Sequence, residues 1–186
     1  MKTQSGKNYR WSMDGKKRYF GHKVHYKDWD FDSEKECDFF IQFIESSGKK
    51  FKVHPQYTIA DHILVGGSYM RKKMYKPDFV IFGDDGAIEH VYDVKTGISS
   101  RAVDGAAQDR FRRFAGRYGM PVEVVVPRKH DFKMKLLGFE NPRLQTRHVK
   151  RDRHGNIKHT AKGNPQYEYY DVHKNVNYDI HDTIGW

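Results

Sequence analysis

The sequence predicts an α/β fold of order αβββαβ, a mixed central sheet flanked by helices, followed by a basic C-terminal extension. Three observations predict it. Two β-rich runs, Phe79–Phe82 and Ile88–Val94, flank Gly83-Asp84-Asp85-Gly86, which signals a hairpin. Capped amphipathic helices begin before and after that hairpin, at Ser33 and Asp104. Residues 122–126 form a near-continuous apolar run that suits a parallel strand covered on both faces.

The elements follow in order. Residues 1–20 are basic, with Tyr9 and Trp11 interspersed, and read either as an unstructured tail or as an arm that contacts phosphates and stacks bases. Residues 24–31 suit a short strand. Ser33 with Glu36 three residues later is a capping box. It opens a helix to about residue 46, with Cys37, Phe40, Ile41 and Ile44 at helical spacing. Residues 51–60 alternate as a half-buried strand in which Pro55 marks an edge or a bulge. Residues 61–74 read as a loop carrying Gly66-Gly67 and the cations Arg71, Lys72 and Lys73, which are either solvated or directed at the hairpin's polar face.

Beyond the hairpin, Asp104 caps a helix to about Tyr118. Ala107, Phe111, Phe114, Ala115 and Tyr118 form its apolar stripe. Its other face carries Gln108, Arg110, Arg112, Arg113 and Arg117, suited to phosphate as well as to water. Gly119 and Pro121 end it. The expected domains are a basic arm (1–20), a core (21–127) and a basic extension (128–186). The extension is dense in cations, including Arg143, Arg147, Lys150 and Arg151, with Gly155-Asn156 as a turn and strands expected over 167–172 and 176–180. It grips nucleic acid or joins two protomers.

The chemistry concentrates in the hairpin. A turn centred on Asp84-Asp85 places Asp78 opposite Val91, with Asp93 two residues further along. Asp78, Asp93 and Lys95 then share one face, with diagonal neighbours about 7–8 Å apart. Charges inside strands that are otherwise apolar on both faces are out of place, and such positions tend to be functional. Two carboxylates with little imidazole or thiol nearby suit a hard cation such as magnesium. Glu36 has a complete local role as the reciprocal cap of its helix, and it lies beside the buried stripe, one residue before Cys37.

Pro77-Asp78 followed, fifteen positions after Asp78, by Asp93-Val94-Lys95 resembles the PD-(D/E)XK nuclease motif, with Asp where Glu is commoner. FDSEKECDFF, YKPDFVIF, YDVKTG and an Arg-rich helix ending in RYG are together similar to the phage and bacterial endonucleases of the DUF1064 family, grouped with junction-resolving enzymes. The resemblance covers residues 24–127. It implies a restriction-endonuclease-like core, with Glu36, Asp78 and Asp93 as metal ligands, the Val94 carbonyl as a further ligand and Lys95 as a catalytic cation. It implies Mg2+ as cofactor, with Mn2+ as substitute, and a homodimer acting on branched DNA.

Composition agrees. A net charge of +10 and a pI near 9.5 point to a polyanion. One cysteine, Cys37, excludes a disulfide framework and suggests a reducing compartment. No apolar run approaches a membrane span, so no membrane partner is expected. The expected place is the cytoplasm, that of the host if the gene is a phage's. The leading expectation is a magnesium-dependent endodeoxyribonuclease for Holliday junctions or forks. Its rivals are a sequence-specific duplex endonuclease and a non-catalytic nucleic-acid binder on the same fold.

Overall fold

A computed structural model describes residues 23–99, 102–139 and 145–185. The basic arm expected over residues 1–20 and the cation Arg143 lie outside them. The strand expected over 24–31 is two strands, β1 (Val24–Tyr26) and β2 (Trp29–Phe31), paired as a hairpin whose bend includes Lys27 at φ 52°. Ser33 caps α1 (Glu34–Phe39), its hydroxyl accepting from the Glu36 N–H. The helix does not continue regularly to residue 46. Phe40–Ile44 is a π-helical turn, with the Glu45 N–H donating to the Phe40 carbonyl at 2.9 Å. The inserted residue widens the buried face, so Phe39 and Phe43 join Phe40 and Ile44 in the core, and Ile41 is only half-buried.

The strand expected over 51–60 is also divided, into β3 (Lys50–Val53) and β4 (Tyr57–Ala60). His54 between them is at φ 51°, and Pro55 has no N–H to extend a ladder. Residues 61–74 are not a loop. β5 (Ile63–Val65) and β6 (Ser68–Met70) form a ribbon across Gly66-Gly67, both at positive φ (54° and 81°), the backbone of a type I′ turn. β7 (Lys73–Tyr75) returns antiparallel to β4.

β8 (Phe79–Phe82) and β9 (Ile88–Val94) are the expected hairpin, in a register different from the expected one. Val80 pairs with Val91 and Phe79 with Tyr92. Two single-residue offsets cause this. The turn encloses three residues, with the Gly83 N–H donating to the Ala87 carbonyl and Gly86 at φ 81°. A bulge then leaves Glu89 unpaired, where it meets Lys49 at 2.8 Å. The offsets add to two, and a period of two returns every side chain beyond the bulge to its expected face, whereas Ile88 before it pairs with Phe82.

Asp104 caps α2 (Gly105–Tyr118), and Gly119 ends it in the left-handed conformation. β10 (Glu123–Pro127) runs parallel to β9, as its apolar run predicts. The sheet then extends past the expected core. β11 (Phe132–Leu136) pairs with β10. β12 (Arg147–Val149) and β13 (Tyr167–Tyr169) pair with each other, and β14 (Asp171–His173) returns to β11. The order is β14-β11-β10-β9-β8-β3, a mixed six-stranded sheet in an α/β fold. Residues 176–180 are not a strand. Val176 is buried in the core, and Ile180 opens the short helix α3 (Ile180–Ile184).

Helical elements cover the two faces of the sheet. Phe39 of α1 packs on Phe79, Tyr92 and Phe132 at ring distances of 5.1–6.0 Å. On the opposite side lies α2, where Phe114 contacts Tyr57 and Tyr75 of the separate β4–β7 pair at 5.1 and 5.7 Å. On the α1 face lies a buried polar cluster. Glu123 accepts from Tyr178 and pairs with His90 Nδ1 at 2.8 Å, which ties the C-terminal segment to the sheet. Burial works to lower the His90 imidazole, but Glu123 outweighs it and the net shift is upward. Among the described residues no helix is long and apolar enough to cross a membrane.

Candidate active site

Asp78 follows buried Pro77 at the mouth of β8, and Asp93 and Lys95 lie at the end of β9. The parity argument puts all three on the α2 side of the sheet. The Asp78 N–H donates to the Tyr92 carbonyl at 3.0 Å, continuing the ladder to the carboxylate pair. Asp78 Oδ2 accepts from the Val94 N–H at 2.6 Å. Asp93 is 5% exposed. Its Oδ1 accepts from the Tyr75 hydroxyl at 3.1 Å. Its buried Oδ2 lies against the Lys95 ammonium as an ion pair but takes no aligned hydrogen bond. Lys95 Nζ also donates to the Val94 carbonyl at 3.3 Å, so that carbonyl faces the site. The structure therefore brings Asp78, Asp93, Val94 and Lys95 together.

Glu36 sits at the border of this group. Its charge reaches Asp78 and Lys95, yet its oxygens are held elsewhere. Oε2 accepts from the Asp32 N–H at 3.0 Å and meets His54 Nε2 at 3.2 Å, and Oε1 accepts from Ser33 Oγ at 3.0 Å. It caps the helix start through the Asp32 N–H and not through the Ser33 N–H of the expected capping box, and it belongs to an acidic patch. Asp32, Glu36 and His54 each offer a ligand atom, all within 4.8 Å of one another. The His54 N–H donates to the Asp78 carbonyl at 2.9 Å, so this trio adjoins the carboxylate pair directly.

Electrostatics follow from the crowding. Burial, then the Asp93 and Glu36 charges, push the Asp78 carboxyl well above its ordinary range, against the pull of Lys95. Burial works to lower Lys95, but Asp93, Asp78 and Glu36 outweigh it, and its net shift is upward. Lys95 is therefore an ammonium at neutral pH, suited to stabilise negative charge and unsuited to take a proton. Burial and Asp93 raise the Tyr75 phenol well above its ordinary value, so it remains a donor. Three carboxylates (Glu36, Asp78, Asp93) face one ammonium. The excess negative charge, the Asp93 oxygen without an aligned donor and the all-oxygen donor set fit a divalent cation.

The cations expected to bind nucleic acid have different surroundings. Arg71 and Lys72 are exposed and make no ion pair among the described residues. Lys73 and Arg113 both pair with Asp109, at 2.8 and 2.9 Å, and Arg117 pairs with Asp61 at 2.7 Å. The Arg112 stem lies over Gly138. Arg147 stacks on the Tyr167 ring at 4.6 Å, Arg151 donates to the Gly155 carbonyl at 2.7 Å, and Lys150 is half-buried. Arg110, on the inner side of α2, is close enough to act on Tyr75.

Sequence reasoning missed Tyr75, His54 and Asp32. Tyr75 carried a usable signal: a tyrosine buried beside a strand needs a partner for its hydroxyl. His54 carried none, because only the fold brings it beside Glu36, whereas Asp32, four residues before Glu36, lay within local reach at the helix start. A family model described as "Protein of unknown function (DUF1064)" matches residues 16–118, more than half of the 186-residue chain. No curated protein and no solved structure matches it.

Proposed function

We propose that this chain, which belongs to the DUF1064 family, is a divalent-metal-dependent endodeoxyribonuclease on a PD-(D/E)XK-type, restriction-endonuclease-like core. The observation that carries the reading is the group of buried Asp93 with half-buried Asp78 and Lys95 on strands that are otherwise apolar. The order α1-β3-β8-β9-α2-β10, taken over the six-stranded sheet and its helices with β4–β7 inserted between β3 and β8, supports it, as does the basic balance of the chain.

Asp78, Asp93 and the Val94 carbonyl would hold the cation, with Glu36 supplying charge from the side. The chemistry such an ion supplies is activation of a water for in-line attack and neutralisation of phosphate charge. Lys95 donates hydrogen bonds to the phosphate oxygens as their charge grows, or orients the water. Tyr75 fixes the rotamer of Asp93. Oxygen donors suit Mg2+, with Mn2+ in its place, and the neighbouring His54 imidazole is a donor that Mn2+ accepts more readily than Mg2+. The substrate we propose is branched DNA, cut by a homodimer, because resolving a junction requires two symmetry-related cuts.

The deciding experiment cleaves a labelled four-way junction and its matched linear duplex, with magnesium or chelator, using wild type and Lys95→Ala. Junction-selective cutting that needs metal and Lys95 is the expected result. Equal cutting of both substrates removes the junction preference, and cutting at one recurrent duplex sequence favours a sequence-specific enzyme. Binding without cutting under any divalent metal overturns the nuclease reading. A monomer both free and on the junction overturns the dimer.

A further inference from the structure

We propose that the β5–β6 ribbon is a stacking wedge for unpaired or unstacked DNA bases, placed beside the carboxylate cluster; its relevance to cleavage rests on the nuclease reading above. The starting observation is exposure. Ile63, Leu64, Val65, Tyr69 and Met70 are 47%, 60%, 51%, 68% and 55% exposed on one short ribbon. Apolar side chains so concentrated on a surface mark a binding site.

Pairing fixes which of them act together. Leu64 lies opposite Tyr69, and Ile63 opposite Met70. His62 packs on Tyr69 in a tilted contact at 4.7 Å and 35°. One face of the ribbon therefore presents rings and Leu64, and the other presents aliphatic groups.

Charge selects the occupant. Arg71 and Lys72 follow the ribbon directly and pair with no carboxylate among the described residues. The whole chain carries +10. A second copy would bring these cations against their own kind. The five apolar side chains also fall well short of the roughly 20–30 residues a side in a standard protein interface. A polyanion complements the same cations.

The side chains then select which part of the nucleic acid is met. Reading base edges in a groove takes hydrogen-bonding groups. The ribbon has few: Ser68, the Tyr69 hydroxyl and His62. Rings and branched aliphatics match base faces, and base faces are open only where stacking is interrupted. β7 leads from the ribbon to Tyr75, whose hydroxyl holds Asp93. Met70 lies five residues before Tyr75, at most about 18 Å of extended chain. An interruption held at the base of the ribbon is thus about five base-pair steps or fewer from the Tyr75 backbone, whose side chain reaches on to Asp93.

The test uses the full chain in chelator, so no cleavage is required. A fluorescent 2-aminopurine is placed at the branch point of a four-way junction or within continuous duplex. Wild type should change the branch-point signal and leave the duplex signal alone. Leu64→Ser/Tyr69→Ser should lose that change and bind the junction at least about tenfold more weakly, with duplex binding kept. Its melting temperature should be unchanged, because both side chains are exposed. Equal losses on both DNAs, or no loss on either, overturn the wedge. So does a double variant that only shifts the sedimentation from dimer to monomer, which assigns the ribbon to a second copy. A branch-point signal in a protein that never cuts supports the wedge while removing the nuclease, and cutting without the signal removes the wedge alone.

Discussion

Tyr75→Phe is the substitution that isolates the support of the carboxylate pair. The Tyr75 ring is 4% exposed and packs on Phe111 and Phe114 at 5.9 and 5.7 Å, contacts that phenylalanine keeps. Among the described residues, the loss is the hydroxyl's bond to Asp93 Oδ1. A hydrogen bond to a charged group contributes about 1.5–3 kcal/mol. At 3.1 Å this one is long for O–H···O, so the lower end, about 1.5 kcal/mol, applies. For a chain of this size that is a fall of about 3–6 °C in melting temperature, measured in chelator. Outer partners of metal ligands commonly change metal affinity by about 10–100-fold. The midpoint of metal-induced stabilisation should therefore move to higher concentration by that factor, while DNA binding in chelator stays the same. An unchanged melting temperature together with an unchanged metal midpoint would refute the idea that Tyr75 orients Asp93.

The other predictions concern charge. Asp78 is shifted upward in the native state, so its ionisation opposes folding, and stability falls as pH rises from its ordinary value near 3.8 through the native value. Asp78→Asn should accordingly raise the melting temperature at neutral pH in chelator and abolish both metal-induced stabilisation and cleavage; a variant less stable than wild type would contradict this. Lys95→Ala should reduce cleavage by about 10²–10³-fold, the scale for losing one group that stabilises transition-state charge, with DNA affinity in chelator kept. His90 is shifted upward, so its pairing with Glu123 stabilises fully below about pH 6.5 and fades as pH rises through the native value. Melting between about pH 6 and pH 9 should follow that trend, and Glu123→Gln should flatten it. DNA affinity should fall steeply with salt, as phosphate contacts release counterions, and a flat response would remove the basic surface from the account.

Much of this protein follows from its sequence because the signals are local. Ser33 and Asp104 cap helices where their side chains can reach the next turn. The runs at Phe79–Phe82, Ile88–Val94 and Glu123–Pro127 are buried strands because few other residues tolerate cover on both faces. The shared face of Asp78, Asp93 and Lys95 survives an error in register, since a shift of two residues preserves parity in a strand. Other features belong to tertiary structure alone. The π-helical turn at Phe40–Ile44 answers to the aromatic layer it packs against, and helical spacing cannot anticipate it. Gly66-Gly67 gave a turn signal, but exposed apolar strands beside it violate the expectation that apolar groups are covered. His54 meets Glu36, Tyr75 meets Asp93, and Tyr178 closes on Glu123 across 18, 18 and 55 residues. The sequence determined which groups face one way on one hairpin; the fold decided which distant side chains orient and charge them, because contacts at such separations depend on topology rather than on spacing.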